Sequence, residues 1–129
     1  MRLLLTALTE VNADALIDRM FQVSPLIRYA AVRRANALVL RQRDGVENAS
    51  DLESDRYEEL LVNPALLTLT QQRGNIDCGG LRYVLVRYGH FFQFVRPFED
   101  GHVSVAIEAG ADVVGIAGQI DALLGRTQG

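Results

Sequence analysis

Residues 86–124 read VRYGHFFQFVRPFEDGHVSVAIEAGADVVGIAGQIDALL, and this stretch decides the fold. It completes three apolar runs: GLRYVLVRYG from residue 80, then HFFQFVRPFE, then GHVSVAIEA. The joins between them are only Gly89-His90 and Asp100-Gly101. Strands joined by such short turns must be antiparallel. The stretch therefore predicts three antiparallel strands, followed by a helix that starts at Asp112.

Alternation within these runs predicts which side chains share a face of the sheet. In the last run Val103, Val105 and Ile107 alternate with polar residues that include His102 and Ser104. This pattern favours one buried and one wetter face. In the run before it, four side chains are expected on a common face: Phe92, Phe94, His90 and Arg96.

The first part of the chain supplies a helix and a hairpin. Apolar residues at three- and four-residue steps predict a helix that ends before Pro25: Leu4, Leu5, Leu8, Val11, Ala15, Leu16 and Met20. Residues 26–45, LIRYAAVRRANALVLRQRDG, predict two strands about a turn near Ala35 and Asn36. The order is α-β-β-α-β-β-β-α in an α+β chain, and 129 residues favour one domain, 1–129.

The middle of the chain carries several helix start and stop signals. Residues 44–59, DGVENASDLESDRYEE, form an acidic loop that leads into a helix, with Ser50 and Glu53 as a capping box. Asn63-Pro64 is a second start signal, with asparagine as cap and proline at the first helical position. We therefore expect an interruption near Val62. Gly74 predicts the end of the helix.

Three glycines near the last helix raise the question of a nucleotide site. A dinucleotide fingerprint needs the spacing G-x-G-x-x-G inside a parallel β-α-β unit, whereas Gly110, Gly115 and Gly118 follow G-x4-G-x2-G. No strand is predicted after this helix, so we expect no nucleotide binding. Gly115 and Gly118 lie opposite the helix's apolar side. They form either a strip that admits another helix or a solvent-exposed strip.

Composition excludes several classes of function. The net charge of −3 is a poor match for a general nucleic-acid binder. One cysteine, Cys78, excludes an internal disulfide framework and a zinc site built on several cysteines. No apolar run approaches the roughly 20 residues that span a membrane, and the start of the chain lacks the features of a signal peptide. These features predict a soluble cytoplasmic protein.

No group of residues predicts catalysis, a metal site or a cofactor. His90 and His102 both lie at predicted strand ends and could be close together, but a metal site would want a third ligand. Cys78 lies in the glycine-rich turn GNIDCGG, without a base placed beside it by sequence. We therefore expect a protein that is not an enzyme, without catalytic, metal-binding or cofactor-binding residues.

Arginines are concentrated in the first hairpin, residues 28–43. Five of them fall in a segment without an acid: Arg28, Arg33, Arg34, Arg41 and Arg43. They form either a solvated rim or a patch that docks an acidic partner, such as residues 44–59 of another subunit.

The order of elements, and above all residues 80–124, resembles the roadblock family of dynein light-chain type. The resemblance covers about Leu5 to Leu124 and departs from the family in the long acidic loop and in Asn63-Pro64. It implies a five-stranded antiparallel sheet of roadblock or profilin-like type, with the first and last helices on one face and the middle helix on the other. It also implies a homodimer joined through the third strand, residues 81–88, and through the middle helices, roughly 55–73.

Family members commonly act as non-catalytic partners of small GTPases, and in bacteria they often accompany a Ras-like GTPase. The resemblance thus implies a regulatory or scaffold module with two surfaces. The dimer surface is expected at Tyr57, Leu60, Leu81, Tyr83, Val84, Leu85 and Val86. The GTPase is expected at Leu61, Leu67 and Glu58, because adjacent leucines make the apolar surface of this helix wider than one contact needs.

A small-ligand sensor of profilin-like architecture is the alternative function. Such a domain needs a cavity with a few convergent polar groups. Its expected lining is Phe91, Phe92, Phe94 and Phe98.

Overall fold

The computed structural model describes residues 2–125, with side-chain surroundings from residue 12 onward. Its helices are α1 (Arg2–Val23), α2 (Leu52–Tyr57), α3 (Asn63–Asp77) and α4 (Val113–Leu124), and a π-helical turn (Glu58–Val62) joins α2 to α3. Its strands are β1 (Ile27–Arg34), β2 (Ala37–Gln42), β3 (Val84–Arg87), β4 (Phe91–Phe98) and β5 (Gly101–Glu108). We call the continuous helical segment 52–77 the middle helix. Among the described residues, no helix is both long and apolar enough for a membrane span.

The strands form one sheet in the order β2-β1-β5-β4-β3, and every neighbouring pair is antiparallel. α1 and α4 pack together on one face of this sheet. The middle helix covers the opposite face, where its side chains reach β1 and β5. The predicted fold class, element order and placement of helices are therefore confirmed. β2 and β3 are the edges of the sheet within this chain.

The main core lies between the sheet and the helices α1 and α4. The predicted inward residues Val103, Val105 and Ile107 are all fully buried there. They pack with Phe94 and with apolar residues of both helices. The expectation that the other face of β5 is wetter is wrong. His102 and Ser104 are also buried, because the middle helix lies over them.

The inward side of α1 differs in detail from the predicted stripe. Met20 is buried and Leu16 is partly buried as expected, but Ile17 takes the inward position next to them and Ala15 is exposed. The predicted stripe residues Leu4, Leu5, Leu8 and Val11 lie outside the described side chains. The helix ends at Val23, two residues before Pro25.

The start of the middle helix is capped one residue later than predicted. Asp51, not Ser50, is the cap, since its carboxylate accepts the backbone N–H of Ser54 at 2.8 Å. Ser50 instead donates its hydroxyl to Asp55. The N–H of Ser54 lowers the pKa of Asp51, and that charge is also favourable at a helix N-terminus.

The predicted interruption near Val62 is a π-helical turn, and the helix continues through it. Asn63 is therefore not a cap: its backbone N–H bonds to the carbonyl of Glu58, five residues earlier. Pro64 has no N–H to donate, and its ring would clash with the carbonyl four residues before it in a regular α-helix. The wider turn accommodates the proline without ending the helix.

Gly74 does not end the middle helix, which continues to Asp77. A Cβ at residue 74 would lie 3.0 Å from the backbone nitrogen of Leu81, because the chain folds back over this glycine. Gly79 and Gly80 make that reversal with positive φ, and the N–H of Gly80 bonds to the carbonyl of Gly74. The glycine at 74 is thus required by close packing.

The third strand is shorter than predicted: β3 spans Val84–Arg87 rather than residues 81–88. Its register pairs Val84 with Val95 and Leu85 with Phe94. Tyr83 and Leu85 pack against the main core. Val84 and Val86 consequently lie on the face that the middle helix covers.

Candidate interaction surface

The middle helix exposes a row of large apolar side chains. Tyr57, Leu61, Leu69 and Ile76 are 61%, 59%, 68% and 74% exposed. Spacings of four, seven and eight residues place side chains on one side of a helix. We call these four residues the apolar stripe. Exposed apolar rows with polar surroundings typically mark interaction surfaces, and the expectation that Leu61 points outward is confirmed.

The other residues expected to bind a partner are less accessible. Leu67 is only 5% exposed, so the expectation that it points outward is wrong. Leu60, which was expected at the dimer surface, is partly buried. Glu58 is also partly buried and accepts a hydrogen bond from the hydroxyl of Tyr88 at 3.2 Å. Burial raises the pKa of Glu58, and the neighbouring charge of Glu59 raises it further.

A buried polar cluster holds the middle helix on the sheet. The carboxylate of Glu59, fully buried, accepts hydrogen bonds from Tyr29 at 2.7 Å and from the amide of Asn63 at 3.0 Å. It also lies 2.8 Å from Nε2 of His102. The Asn63 amide reaches Ser104 at 3.3 Å. We call these five residues the polar anchor.

The polar anchor is well satisfied apart from one atom. Burial, followed by the charge and hydrogen bond of Glu59, raises the pKa of Tyr29 far above its ordinary value, so the hydroxyl stays protonated and donates. Oδ1 of Asn63 is buried without a hydrogen-bond partner among the described residues. Buried polar groups of this kind fix one arrangement of the elements that carry them. The anchor therefore fixes how the middle helix is rotated on the sheet.

Sequence reasoning missed the polar anchor because its members are far apart in the chain. Glu59 and His102 are separated by 43 positions. The sequence predicts a cap at Asn63, and it places Glu59 in the acidic segment 44–59. The one local signal was the polar alternation of His102 and Ser104 along β5, which indicated a wet face rather than polar contacts with a helix.

The edge strand β3 and the residues before it carry most of the expected dimer surface. Leu81, Tyr83, Val84, Leu85 and Val86 are all partly buried within the single chain. β3 pairs only with β4, so its outer edge has no partner strand among the described residues. Unpaired edges of apolar strands invite pairing with another chain.

The two histidines do not meet. His102 pairs with Pro97, whereas His90 precedes Phe91, which pairs with Glu108. They are thus at opposite ends of β4, roughly 20 Å apart at about 3.3 Å per residue. Within residues 2–125, no group of three or more His, Cys, Asp or Glu side chains is placed to hold a metal ion. Cys78 is exposed beside Asp77.

Most of the arginines of the first hairpin bind groups of their own chain, which speaks against a docking patch, whereas the Arg41 side chain, 41% exposed, agrees with a solvated rim. Arg28 is buried, pairs with Glu108 at 3.0 Å and donates to the carbonyl of Glu47 in its own acidic loop at 2.8 Å. Ion pairs join Arg34 to Glu99 and Asp100, and Arg41 to Asp14 and Asp18. Arg43 bonds to the backbone carbonyls of Ile27 and Ser24.

The four phenylalanines expected to line a cavity do not converge. Phe94 is fully buried in the main core, and Phe92 and Phe98 pack against that core. Phe91 lies on the opposite face of the sheet with Tyr29 and Ala106. The sensor hypothesis therefore loses the lining on which it was based.

The fold of this chain is similar to the folds of several solved structures. The crystal structure of a Roadblock/LC7 domain from Streptomyces avermitilis matches with a TM-score of 0.62 and 21% identity, over 86% of this chain and 89% of that one. A structure titled MglB with tetrameric arrangement gives a TM-score of 0.63 at 12% identity, over 86% and 82% of the two chains. The gliding protein MglB from Thermus thermophilus gives 0.59 at 12% identity, over 85% and 82%.

No protein-family model matches the chain, and no curated protein matches its sequence. The likeness therefore concerns the architecture. It agrees with the observed five-stranded sheet and with the helices on its two faces. The chain has the fold of roadblock domains.

Proposed function

We propose that this chain is a non-catalytic regulatory or scaffold module that forms a homodimer and binds a small Ras-like GTPase. The observation that carries the proposal is the apolar stripe on the middle helix. The roadblock fold supports it, because the family that the sequence resembles commonly serves small GTPases. A structural neighbour described in a tetrameric arrangement supports self-association.

Two parts of the chain contribute to the proposed dimer. The outer edge of β3 would pair with its copy and thereby lose its unpaired backbone groups. The middle helices would then meet beside the joined sheets, with Tyr57 and Leu60 in contact. This leaves Leu61 and Glu58, on the same turns, for the GTPase.

The dimer is tested by light scattering over a range of micromolar concentrations. We expect a mass of twice the 14.3 kDa of one chain. A mass of one chain throughout this range would contradict the dimer. The GTPase proposal would then have to be judged on the monomer alone.

The GTPase surface is tested with one substitution on the stripe and one away from it. Leu61→Glu places a charge at a side chain that is 59% exposed, so the fold should be preserved while an apolar contact is lost. Gln119→Glu adds the same charge at an exposed position of α4, on the other face of the sheet. The probes are purified small Ras-like GTPases of the source organism, loaded with GDP or with a GTP analogue.

We expect a GTPase to bind the parent protein and Gln119→Glu equally and Leu61→Glu much more weakly. Loss of one well-packed apolar contact typically costs about 1–3 kcal/mol, or roughly fivefold to 150-fold in Kd. If Leu61→Glu stays folded and binds as tightly as Gln119→Glu, the GTPase contacts another surface. If no GTPase binds in either nucleotide state, the proposal is wrong.

A further inference from the structure

The first part of the middle helix lies between two fixed points of the chain. At one end, the guanidinium of Arg28 holds the acidic loop by the backbone carbonyls of Glu47 and Asn48, at 2.8 and 3.3 Å. Arg28 is itself buried. At the other end, the polar anchor begins at Glu59. We call the segment between these two points, residues 49–57, the strap.

The strap is weakly attached to the sheet. Its helical part, α2, contains no buried residue, whereas α3 contains three. Among the described residues, no hydrogen bond joins residues 49–57 to a strand. The polar side chains of the strap bond to one another instead, Ser50 to Asp55 and Ser54 to Asp51. Beneath the strap lies a groove of about 390 Å³. Segments with so few buried contacts open with little free energy.

The π-helical turn after the strap has the properties of a hinge. At this turn the N–H of Asn63 bonds to the carbonyl of Glu58, five residues earlier, and Pro64 has no N–H to donate. The regular hydrogen-bond ladder of the helix is therefore interrupted just after the strap. Helices bend at prolines and at π-helical turns. A bend here leaves α3 and the polar anchor in place.

Two carboxylates beside the groove favour an open strap. Asp55 and Glu58 both line the groove. Burial raises the pKa of each, and the charge of Glu59 raises it further, whereas hydrogen bonds from Ser50 and Tyr88 act in the opposite direction. Opening would return both carboxylates to water, where their charges are better solvated. The bond from the hydroxyl of Tyr88 to Glu58, at 3.2 Å, opposes opening and acts as a latch.

We propose that the strap opens from the sheet as one unit, hinged at the π-helical turn, while α3 stays docked. Opening widens access to Phe91 and Ala106 on the sheet side of the groove. Tyr57 precedes the hinge, whereas Leu69 and Ile76 follow it, so opening also carries Tyr57 away from the rest of the apolar stripe. The closed strap thus completes the stripe and the open strap shortens it. Opening is a property of the free chain, and only its effect on a partner rests on the proposed function.

Hydrogen exchange of the backbone amides in the full chain at pH 7 measures the opening. The amides of residues 55–58 bond within the strap, as from Asp55 to Asp51 and from Glu58 to Ser54. We expect these amides to share one low protection factor, at least about a hundredfold below that of residues 66–73. Protection that increases gradually from residue 55 to residue 73 would indicate ordinary fraying of a helix end. That outcome, or equal protection on both sides of the π-helical turn, would overturn the inference.

Two matched substitutions test the latch. Tyr88→Phe removes the hydroxyl that holds Glu58 and keeps the ring that packs against Phe91. Tyr83→Phe removes a hydroxyl on the other face of the sheet. We expect the protection of residues 55–58 to fall roughly threefold to tenfold in Tyr88→Phe, the usual effect of one hydrogen bond. Residues 66–73 should be unaffected, and Tyr83→Phe should leave residues 55–58 unchanged. The inference is wrong if Tyr88→Phe leaves residues 55–58 unchanged, lowers both segments equally, or does no more to residues 55–58 than Tyr83→Phe.

Discussion

Glu58 and Glu59 are adjacent, yet the same substitution should affect them very differently. Glu59 is fully buried and is the centre of the polar anchor, with contacts to Tyr29, Asn63 and His102 at 2.7–3.0 Å. Glu58 is partly exposed and has one hydrogen bond, from Tyr88 at 3.2 Å. Glutamine keeps the shape of glutamate, removes its charge and replaces one acceptor oxygen by a donor.

The expected loss for Glu59→Gln follows from its contacts. Tyr29 and Asn63 donate to different oxygens of the carboxylate. Glutamine has only one acceptor oxygen, so at least one of these donors would face its NH2 group instead. The remaining bonds lose the strengthening that comes from the charge. Hydrogen bonds to charged groups contribute about 1.5–3 kcal/mol, against about 1 kcal/mol for neutral pairs. The free energy of unfolding should therefore fall by about 2–3 kcal/mol, a large share of a typical total of about 5–15 kcal/mol.

Urea unfolding at pH 7 measures this difference, with Glu58→Gln as the matched control. Burial already disfavours the charge of Glu58, so its removal should change the free energy of unfolding by less than about 0.5 kcal/mol. Equal effects of the two substitutions, or a change below about 0.5 kcal/mol for Glu59→Gln, would refute the view that the anchor holds the middle helix.

Two further predictions concern the buried carboxylate of Asp121 and the two helical glycines Gly74 and Gly118. Burial alone would raise the pKa of Asp121, but hydrogen bonds from Arg82 and Arg96 outweigh it and lower the pKa below 3.8. The stability from this group is thus present above that pH and is lost as the pH falls through the lowered value. Asp121→Asn should cost about 3–5 kcal/mol at pH 7, because it leaves the buried Arg96 without its carboxylate. In acid the variant and parent should converge, and a loss that is constant with pH would contradict the assignment. Gly74→Ala should lower the melting temperature, since its Cβ meets backbone at 3.0 Å. Gly118→Ala should raise the melting temperature, with a gain of up to about 1 kcal/mol in the free energy of unfolding, since that site is open among the described residues. Equal shifts for the two alanines would count against both interpretations.

Much of the sheet could be predicted because its signals are local. The joins at Gly89-His90 and Asp100-Gly101 leave no room for anything but hairpins, and β4 and β5 pair as expected. The turn at Ala35 and Asn36 is likewise where the sequence places it. Each of these features depends on residues that are neighbours in the chain, so a short stretch contains all the information.

Contacts across the sheet could not be predicted in this way. Nothing in the spacing of Glu59 and His102 indicates that they are 2.8 Å apart, because the contact depends on how the helix lies on the sheet. The error at Leu67 has a related cause. Leu66 and Leu67 are neighbours, so their side chains point about 100° apart. Which of the two is buried depends on how the helix lies on the sheet, and the residue types do not indicate it.

The residues at and around the π-helical turn divide between a buried side and an exposed side of the middle helix. Glu59 and Asn63, four positions apart, point to the sheet, where they contact His102 and Ser104. Tyr57 and Leu61, also four apart, are left on the outer side. A slip of the helix by one residue would rotate it by about 100°, bury part of the apolar stripe and expose the carboxylate of Glu59. The burial of Glu59 thus determines which apolar side chains stay exposed, so the polar anchor preserves the apolar stripe as well as the fold.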